Sequence, residues 1–380
     1  MKKMIAMLMA ALMMVGLFAG CGSKEAVSND ATVFRLGHIG PLTGENAIYG
    51  TATLNGAQIA VNEINALGGE IQFELKAQDD VATPDTAVNA YNSLKDWGMQ
   101  VLIGCTTTGS AIAVSSEVYA DRIFAITPSA SSTDVTAGKD NMFQVCFTDP
   151  NQGVASADYM AEKMADAQIA ILYRNDDAFS QGIRDSFKAE AEAKGLNVVY
   201  EGAFTADTAT DFSVQLTGAQ SAGADLVFLP IYYQPASVIF NQADAMGYEP
   251  TFFGVDGMDG ILKLEGFDTS LAEGVMLLTP FSADDEAAKG FVDAYLEAYG
   301  ETPNQFAADA YDAVYAVYKA IQASGATADL TAEELCEKLV GAMTSITLDG
   351  LTGSLSWSAN GEVSKAPAAY IIQDGKYVAS

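Results

Sequence analysis

The chain has 380 residues, 49% of them hydrophobic and 18% charged, yet it carries a formal net charge of −30. So apolar a composition excludes a disordered acidic tail, and so negative a chain excludes non-specific binding to nucleic acid or anionic lipid. Cys105, Cys146 and Cys336 are an odd, widely spaced set, which excludes a disulfide-stapled scaffold and predicts buried thiols.

The first stretch, MKKMIAMLMAALMMVGLFAGC, has two lysines, an apolar run from Met4 to Phe18 and small residues ending in Cys21. This is the layout of an export signal, and a run of roughly 15 apolar residues falls short of the ~20 that span a bilayer. LFAGC is similar to a bacterial lipobox, so residues 1–21 are expected to be a lipoprotein signal with Cys21 lipidated, and residues 22–31 a flexible tether. An ordinary cleaved signal peptide is the alternative. Without Lys2 and Lys3 the chain has 17 basic against 49 acidic residues, a net −32. About 360 mature residues exceed one usual core, so two lobes are expected.

From Val33 onward short β-rich runs alternate with helical patterns, which predicts parallel sheets with crossover helices. Strands are expected in VFRLGHIG, IQFELKAQ, QVLIG and IFAIT. Between the first two, NGAQIAVNEINALGG places Ala57, Ala60, Val61, Ile64 and Leu67 on one helical face, and Gly68-Gly69 stops it. A second helix follows Thr83 with Pro84 in its first turn, and a third follows the loop GCTTTGSA, Gly104 to Ala111. The rhythm restarts after FQVCFTDPNQG with IAILYRND, SQGIRDSFKAEAEAKG, LNVVYEGAF, ADLVFLPIYY and TFFGVDG, a second doubly wound sheet. GVMLLTPF leads into two or three helices between Asp285 and about Met343, after which TGSLSW and AAYIIQDGKYV predict a hairpin turning at Asn360-Gly361. The late helices are too many for the second lobe and are expected to return to the first. That makes both lobes discontinuous, 32–147 plus 281–349 and 148–280 plus 350–380, with several strands between them.

GCTTTGSA has the glycine spacing of a phosphate-binding P-loop, but Ser110 and Ala111 stand where lysine and Ser/Thr are needed. Its backbone N–H groups and the hydroxyls of Thr106, Thr107 and Thr108 therefore suit a weaker anion than a polyphosphate. His38 is the single histidine and sits inside a predicted strand, the pattern of a structural residue; the cysteines lie too far apart for a zinc set, and G-x-S-x-G is absent. The acidic pairs Asp79-Asp80, Asp176-Asp177 and Asp284-Asp285 fall at turns and are expected to be solvated. No catalytic residue, metal site or cofactor is therefore expected. What remains is a set of loops at strand ends, where open α/β sheets bind ligands. TPSASSTD brings Ser129, Ser131 and Ser132, IYYQP brings Tyr232 and Tyr233, and GVDGMDG brings Asp256 and Asp259. Donors for a carboxylate, an acid for an ammonium and an aromatic wall are what a zwitterionic amino acid asks for.

GHIGPLTGENAIYG, NGAQIAVNEINALGG, the VLIG and TPSAS loops, TDPNQG and YDAVYAVYKAI, together spanning nearly all of the mature chain in order, resemble the type I periplasmic-binding-protein fold. Within it, the chain resembles the Leu/Ile/Val-binding subunits of branched-chain amino-acid ABC transporters. The resemblance implies two Rossmann-like lobes on a multi-strand hinge and capture of an amino acid, branched-chain or a related small zwitterion or amide. It also implies partnership with a permease and its ATPase, a monomer, and a lipid anchor on the outer face of the bacterial cell membrane. By position, it places the ligand carboxylate on Thr106 to Thr108 and both ends of the zwitterion near Ser129, Ala130 and Ser131. Tyr49 and Tyr232 become aromatic walls, and Asp256 the ammonium partner. Asp256 is one methylene shorter than the family's usual glutamate, Phe179-Ser180 replaces Tyr-Gly, and VCFTDPNQG lacks an arginine before its threonine. A sensory module with the same fold is the alternative.

Overall fold

The computed structural model describes residues 33–365 and 367–380. The signal stretch, Cys21 and the tether lie outside them. The first sheet consists of β1 (Phe34–Gly40), β2 (Phe73–Asp79), β3 (Val101–Gly104), β4 (Phe124–Thr127) and β5 (Met142–Gln144). Its order is β2-β1-β3-β4-β5, and every pairing is parallel. β3, β4 and β5 are buried along their whole length, as strands covered by helices on both faces must be. The covering helices are α1 (Ala47–Ala66), α2 (Pro84–Trp97) and α3 (Thr108–Asp121).

α1 starts well before the apolar stripe read from sequence, which puts Tyr49 in its first turn. Ala57, Ala60, Val61 and Ile64 are buried, but Leu67 is 66% exposed because it is the C-cap, where the helical face no longer continues. Gly56 lets α1 lie against the backbone of Ala307, where a Cβ would collide.

The second sheet is reached through α4 (Asp149–Lys163). Its strands and helices are β6 (Gln168–Arg174), α5 (Ala178–Lys194), β7 (Asn197–Phe204), α6 (Ser213–Ser221), β8 (Leu226–Leu229), α7 (Tyr233–Met246), β9 (Thr251–Gly254) and β10 (Met276–Thr279). The chain then forms α8 (Lys289–Tyr299), α9 (Gln305–Ser324), α10 (Ala332–Met343), β11 (Thr347–Gly350), β12 (Gly353–Ser356), β13 (Ala368–Gln373) and β14 (Lys376–Ala379). The sheet order is β14-β13-β10-β9-β8-β6-β7, with β13 and β14 antiparallel additions at one edge.

The end of the chain differs from the single hairpin expected. TGSLSW pairs back on β11, AAYIIQDGKYV folds on itself at Asp374-Gly375, and the turn at Asn360-Gly361 is closed by the bridge between Trp357 and Val363 and by Ser358 N donating to Glu362 O at 3.0 Å. Trp357 Nε1 donates to Gln144 O at 2.8 Å and Gln144 N donates to Gly361 O at 2.9 Å, so this turn docks on β5. Leu355, Trp357 and Val363 pack in the core of the first sheet with α9 and α10. Residues 350–363 therefore lie with the first sheet, and the boundary expected at 350 moves to beyond 363.

Three crossovers link the sheets: after β5, after β10 and after the 357–363 turn. Lys365 clasps two of them. Its ammonium group donates to Val145 O at 3.1 Å and pairs with the Asp309 carboxylate, and the two charged side chains are 1% and 2% exposed. Asp312, one turn further along α9, holds the β11–β12 turn through Leu351 N and Thr352 N, both at 2.9 Å. Cys105, Cys146 and Cys336 are buried free thiols.

Candidate functional site

The loop after β3 leaves the sheet at Gly104, whose φ of 145° only glycine adopts freely, and where a Cβ would meet Ile39 O at 2.7 Å. The chain then turns into α3 with Thr107 as N-cap. Its side chain caps nothing, so the first N–H groups of α3 and the Thr107 hydroxyl, which is buried without a partner, are left to bind an anion. Thr106 is held from behind. Its Oγ1 lies 2.9 Å from Thr53 Oγ1, which lies 2.9 Å from His38 Nε2. Burial lowers His38 to about 3, so the imidazole is neutral and acts as a strut. Cys105 is likewise raised by burial and stays a thiol. Ser129 Oγ donates to Thr106 O at 2.6 Å, joining the two loops.

Ala130 and Ser131 do not reach the cavity. Ala130 N donates to Thr127 Oγ1 at 2.9 Å and its carbonyl accepts from Gln144 Nε2 at 2.7 Å, so both backbone groups are engaged inside the lobe. Ser131 accepts Asp149 N at 2.9 Å through its carbonyl and faces the start of α4.

On the opposite side Tyr232 precedes α7 and stacks on Phe179, ring centroids 4.8 Å apart at 9°. The phenylalanine that replaces the family's tyrosine thus supports the aromatic wall in place of a polar contact. Asp256 follows β9; its backbone N donates to Gln152 Oε1 at 3.2 Å, while its Oδ1 is buried with no partner. Burial pushes its carboxyl up to about 7. Asp149, at the first turn of α4, has both carboxylate oxygens buried and unpartnered and is also raised well above the usual range by burial. Of the acidic pairs expected to be solvated, Asp284-Asp285 and Asp176 are exposed, but one member of each of the other two pairs needs correcting. Asp80 is fully buried, with Oδ1 accepting Ala82 N at 2.9 Å, and Asp177 is the N-cap of α5, accepting Ser180 N at 3.3 Å.

Tyr49 joins the two sides. Its hydroxyl donates to Gly257 O and accepts from Tyr233 N at 3.2 Å, while Tyr233 Oη donates to Glu45 O at 2.7 Å. Its ring lies 4.8 Å from Phe306, at the start of α9. Tyr49, Thr106, Thr107, Thr108, Ser129, Tyr232 and Asp256 all line one cavity, together with Phe179, Gly257 and Phe306. Sequence reasoning missed Phe306, which lies about 200 residues from the threonine loop and in no strand-end turn; an aromatic opening an amphipathic helix reads as core. The cavity has about 20 Å³ of free space, enough for one water and far below a ligand pocket of roughly 300 Å³ or more. The lobes are shut on each other, and a guest must part them.

A hinge of three crossovers, two α/β lobes and a cleft lined from both define a two-lobed small-molecule binding protein. Among the described residues, no group of His, Cys, Asp or Glu could hold a metal ion, and no helix is long and apolar enough to cross a membrane. The chain belongs to the periplasmic binding protein family, whose profile residues 33–375 match. This is a family of solute-binding proteins working outside the cytoplasm, and its type I architecture is the one expected from the sequence. Leu/Ile/Val-binding protein homolog 3 of Brucella melitensis is 30% identical over 371 residues, which cover 96% of this chain and 97% of that one. The leucine-, isoleucine-, valine-, threonine-, and alanine-binding protein of Pseudomonas aeruginosa is 27% identical over 88% of each chain. Among solved structures, the branched-chain amino acid transporter substrate binding protein LivJ of Streptococcus pneumoniae, in complex with isoleucine, matches with a TM-score of 0.82 at 30% identity. The match covers 91% of this chain and 98% of that one.

Proposed function

We propose that the protein is the extracytoplasmic solute-binding subunit of an ABC importer, capturing a branched-chain amino acid or a related small zwitterion or amide. The observation that carries this reading is the pairing of two unsatisfied buried groups, Thr107 Oγ1 from one lobe and Asp256 Oδ1 from the other, on the wall of one cavity. The α3 N-terminus and Thr107 take the carboxylate, Asp256 takes the ammonium, and Phe179, Tyr232, Tyr49 and Phe306 surround the side chain. Its relatives' names, and the isoleucine held by the Streptococcus pneumoniae protein, favour that ligand class.

A ligand bridging both lobes favours the shut form, which the permease recognises and the ATPase then empties into the cell. The lobes comprise 33–147 with 281–365 and 148–280 with 367–380. The protein performs no catalysis, works as a monomer, and is held at the outer face of the cell membrane by acyl chains on Cys21. Calorimetry with leucine and its amine-less analogue 4-methylpentanoate tests the site. Asp256→Ala weakens leucine at least about tenfold, the effect of losing one charge-assisted contact, and barely changes 4-methylpentanoate. Equal losses for both reject the ammonium role.

A further inference from the structure

The seam between the lobes holds a second space beyond Tyr232. This chamber, of about 170 Å³, is walled by Glu45 and Asn46 from the first lobe and by residues at the ends of β6, β7 and β8 from the second. It falls short of the roughly 300 Å³ of a complete ligand pocket but has far more room than the cleft floor, which suits one end of a guest. Tyr232 is a wall of both spaces, and each space is bounded by both lobes. Parting the lobes to admit a guest therefore opens the two along one seam.

The polar groups of the chamber are of both signs. Arg174, the last residue of β6, donates from Nε to Asp176 Oδ1 at 2.7 Å, the one side-chain hydrogen bond it makes among the described residues, and its side chain is 30% exposed. The two Nη groups of its fork are left for a guest. Glu45 is exposed, and Asp177 spends Oδ2 on Ser180 N at 3.3 Å. Asn46 opens α1 as an N-cap whose side chain caps nothing. A free carboxylate entering the chamber would meet Glu45 and Asp177, and an ammonium group would meet Arg174. A neutral group that both accepts and donates suits all three. Its carbonyl oxygen accepts from the Arg174 fork, and its N–H groups donate to the carboxylates. Phe204, Ile231 and Val238 give apolar surface to the methylenes leading there.

We propose that Arg174 is a specificity-determining residue and that the solute is an α-amino acid whose side chain ends in a carboxamide or ureido group. This rests on the assignment of Thr107 and Asp256 to the two ends of an amino acid, and narrows it. The side chain runs along the Tyr232 ring, which the stack on Phe179 holds in place, and its end lies in the chamber.

Calorimetry of the mature protein tests this with L-citrulline, L-glutamine, L-glutamate, L-lysine and the apolar L-norleucine, each titrated to ~20 mM so that millimolar affinities register. L-Citrulline should bind at least about fivefold more tightly than L-norleucine, and L-glutamine more tightly than L-glutamate or L-lysine. Arg174→Met keeps an apolar stem and removes the fork. It should lower the citrulline-to-norleucine preference at least about fivefold, a ratio that a general loss of folded protein does not move. The proposal is overturned by L-norleucine binding as tightly as L-citrulline, by L-glutamate or L-lysine outbinding L-glutamine, or by a preference that survives Arg174→Met. Asp256→Ala tests the underlying assignment separately: it should weaken L-citrulline and L-norleucine alike and keep their ratio, and a variant that weakens neither overturns both the assignment and the proposal.

Discussion

The two walls of the cleft reach burial by different routes. On the first-lobe wall Thr106 is engaged with Thr53 and Ser129 with the Thr106 carbonyl, backed by His38, leaving the Thr107 hydroxyl and the first N–H groups of α3, all neutral donors. The second-lobe wall instead holds Asp256 with an unpartnered carboxylate oxygen, and Asp149 close behind with two. A neutral hydroxyl tolerates a dry surface at modest cost, whereas an ionised carboxylate does not. The first lobe is thus a finished receptor, and the second is a wall whose burial is favourable only when a cation or a proton arrives with it. Asp309 is the control within the same molecule: equally buried, but matched by Lys365.

The largest expected effect comes from erasing that control. Lys365→Met leaves Asp309 in the condition of Asp256 at all times, and should cost about 3–5 kcal/mol of unfolding free energy, read from urea denaturation. A loss below ~1 kcal/mol would show that buried acids here need no partner and would dissolve the contrast between the walls.

Protonation separates the walls next. Because the Asp256 carboxyl is raised to about 7 from an ordinary value of 3.8, its contribution to the shut, ligand-free state is present below about pH 4 and is lost as pH rises through 7. The full shift corresponds to about 4 kcal/mol as a ceiling, because opening the lobes rehydrates the acid before that much accumulates. Small-angle scattering should find the ligand-free protein more compact at pH 5 than at pH 8, and Asp256→Asn equally compact at both. An unchanged difference in the variant would place the titration elsewhere, with Asp149 the first candidate.

Thr107→Val tests the finished wall, and should weaken leucine and 4-methylpentanoate alike, about tenfold each, since both present the same carboxylate to it. Selective loss of leucine would reverse the assignment of the two ends. The smallest effect is expected from Tyr49→Phe, which removes the hydroxyl bridge to Gly257. About 1 kcal/mol, or a fivefold faster ligand release in stopped-flow measurements, corresponds to one such hydrogen bond.

Much of the architecture was legible because it rests on local patterns. β1 to β4 fall in the four quoted apolar runs, and the halt at FQVCFTDPNQG is where the chain leaves the first sheet. Thr106–Thr108, Ser129, Tyr232 and Asp256 were legible as turn residues at strand ends, a position that open α/β sheets use repeatedly. Ala130 and Ser131 share that pattern yet face inward, since β5 and α4 claim their backbone groups. Asn360-Gly361 signalled a turn correctly but could not say which strands it would join.

Chain order, helix periodicity and the residue chemistry of each turn were determined by the sequence alone, because they depend on neighbours a few positions away. Which turns meet was decided only by the tertiary structure. Phe306 reaches the cavity because Gly56 lets α9 lie against α1, and Asp256 is raised because distant segments strip its water. Solvent exclusion is a property of the assembled surfaces, and no local stretch of sequence carries it.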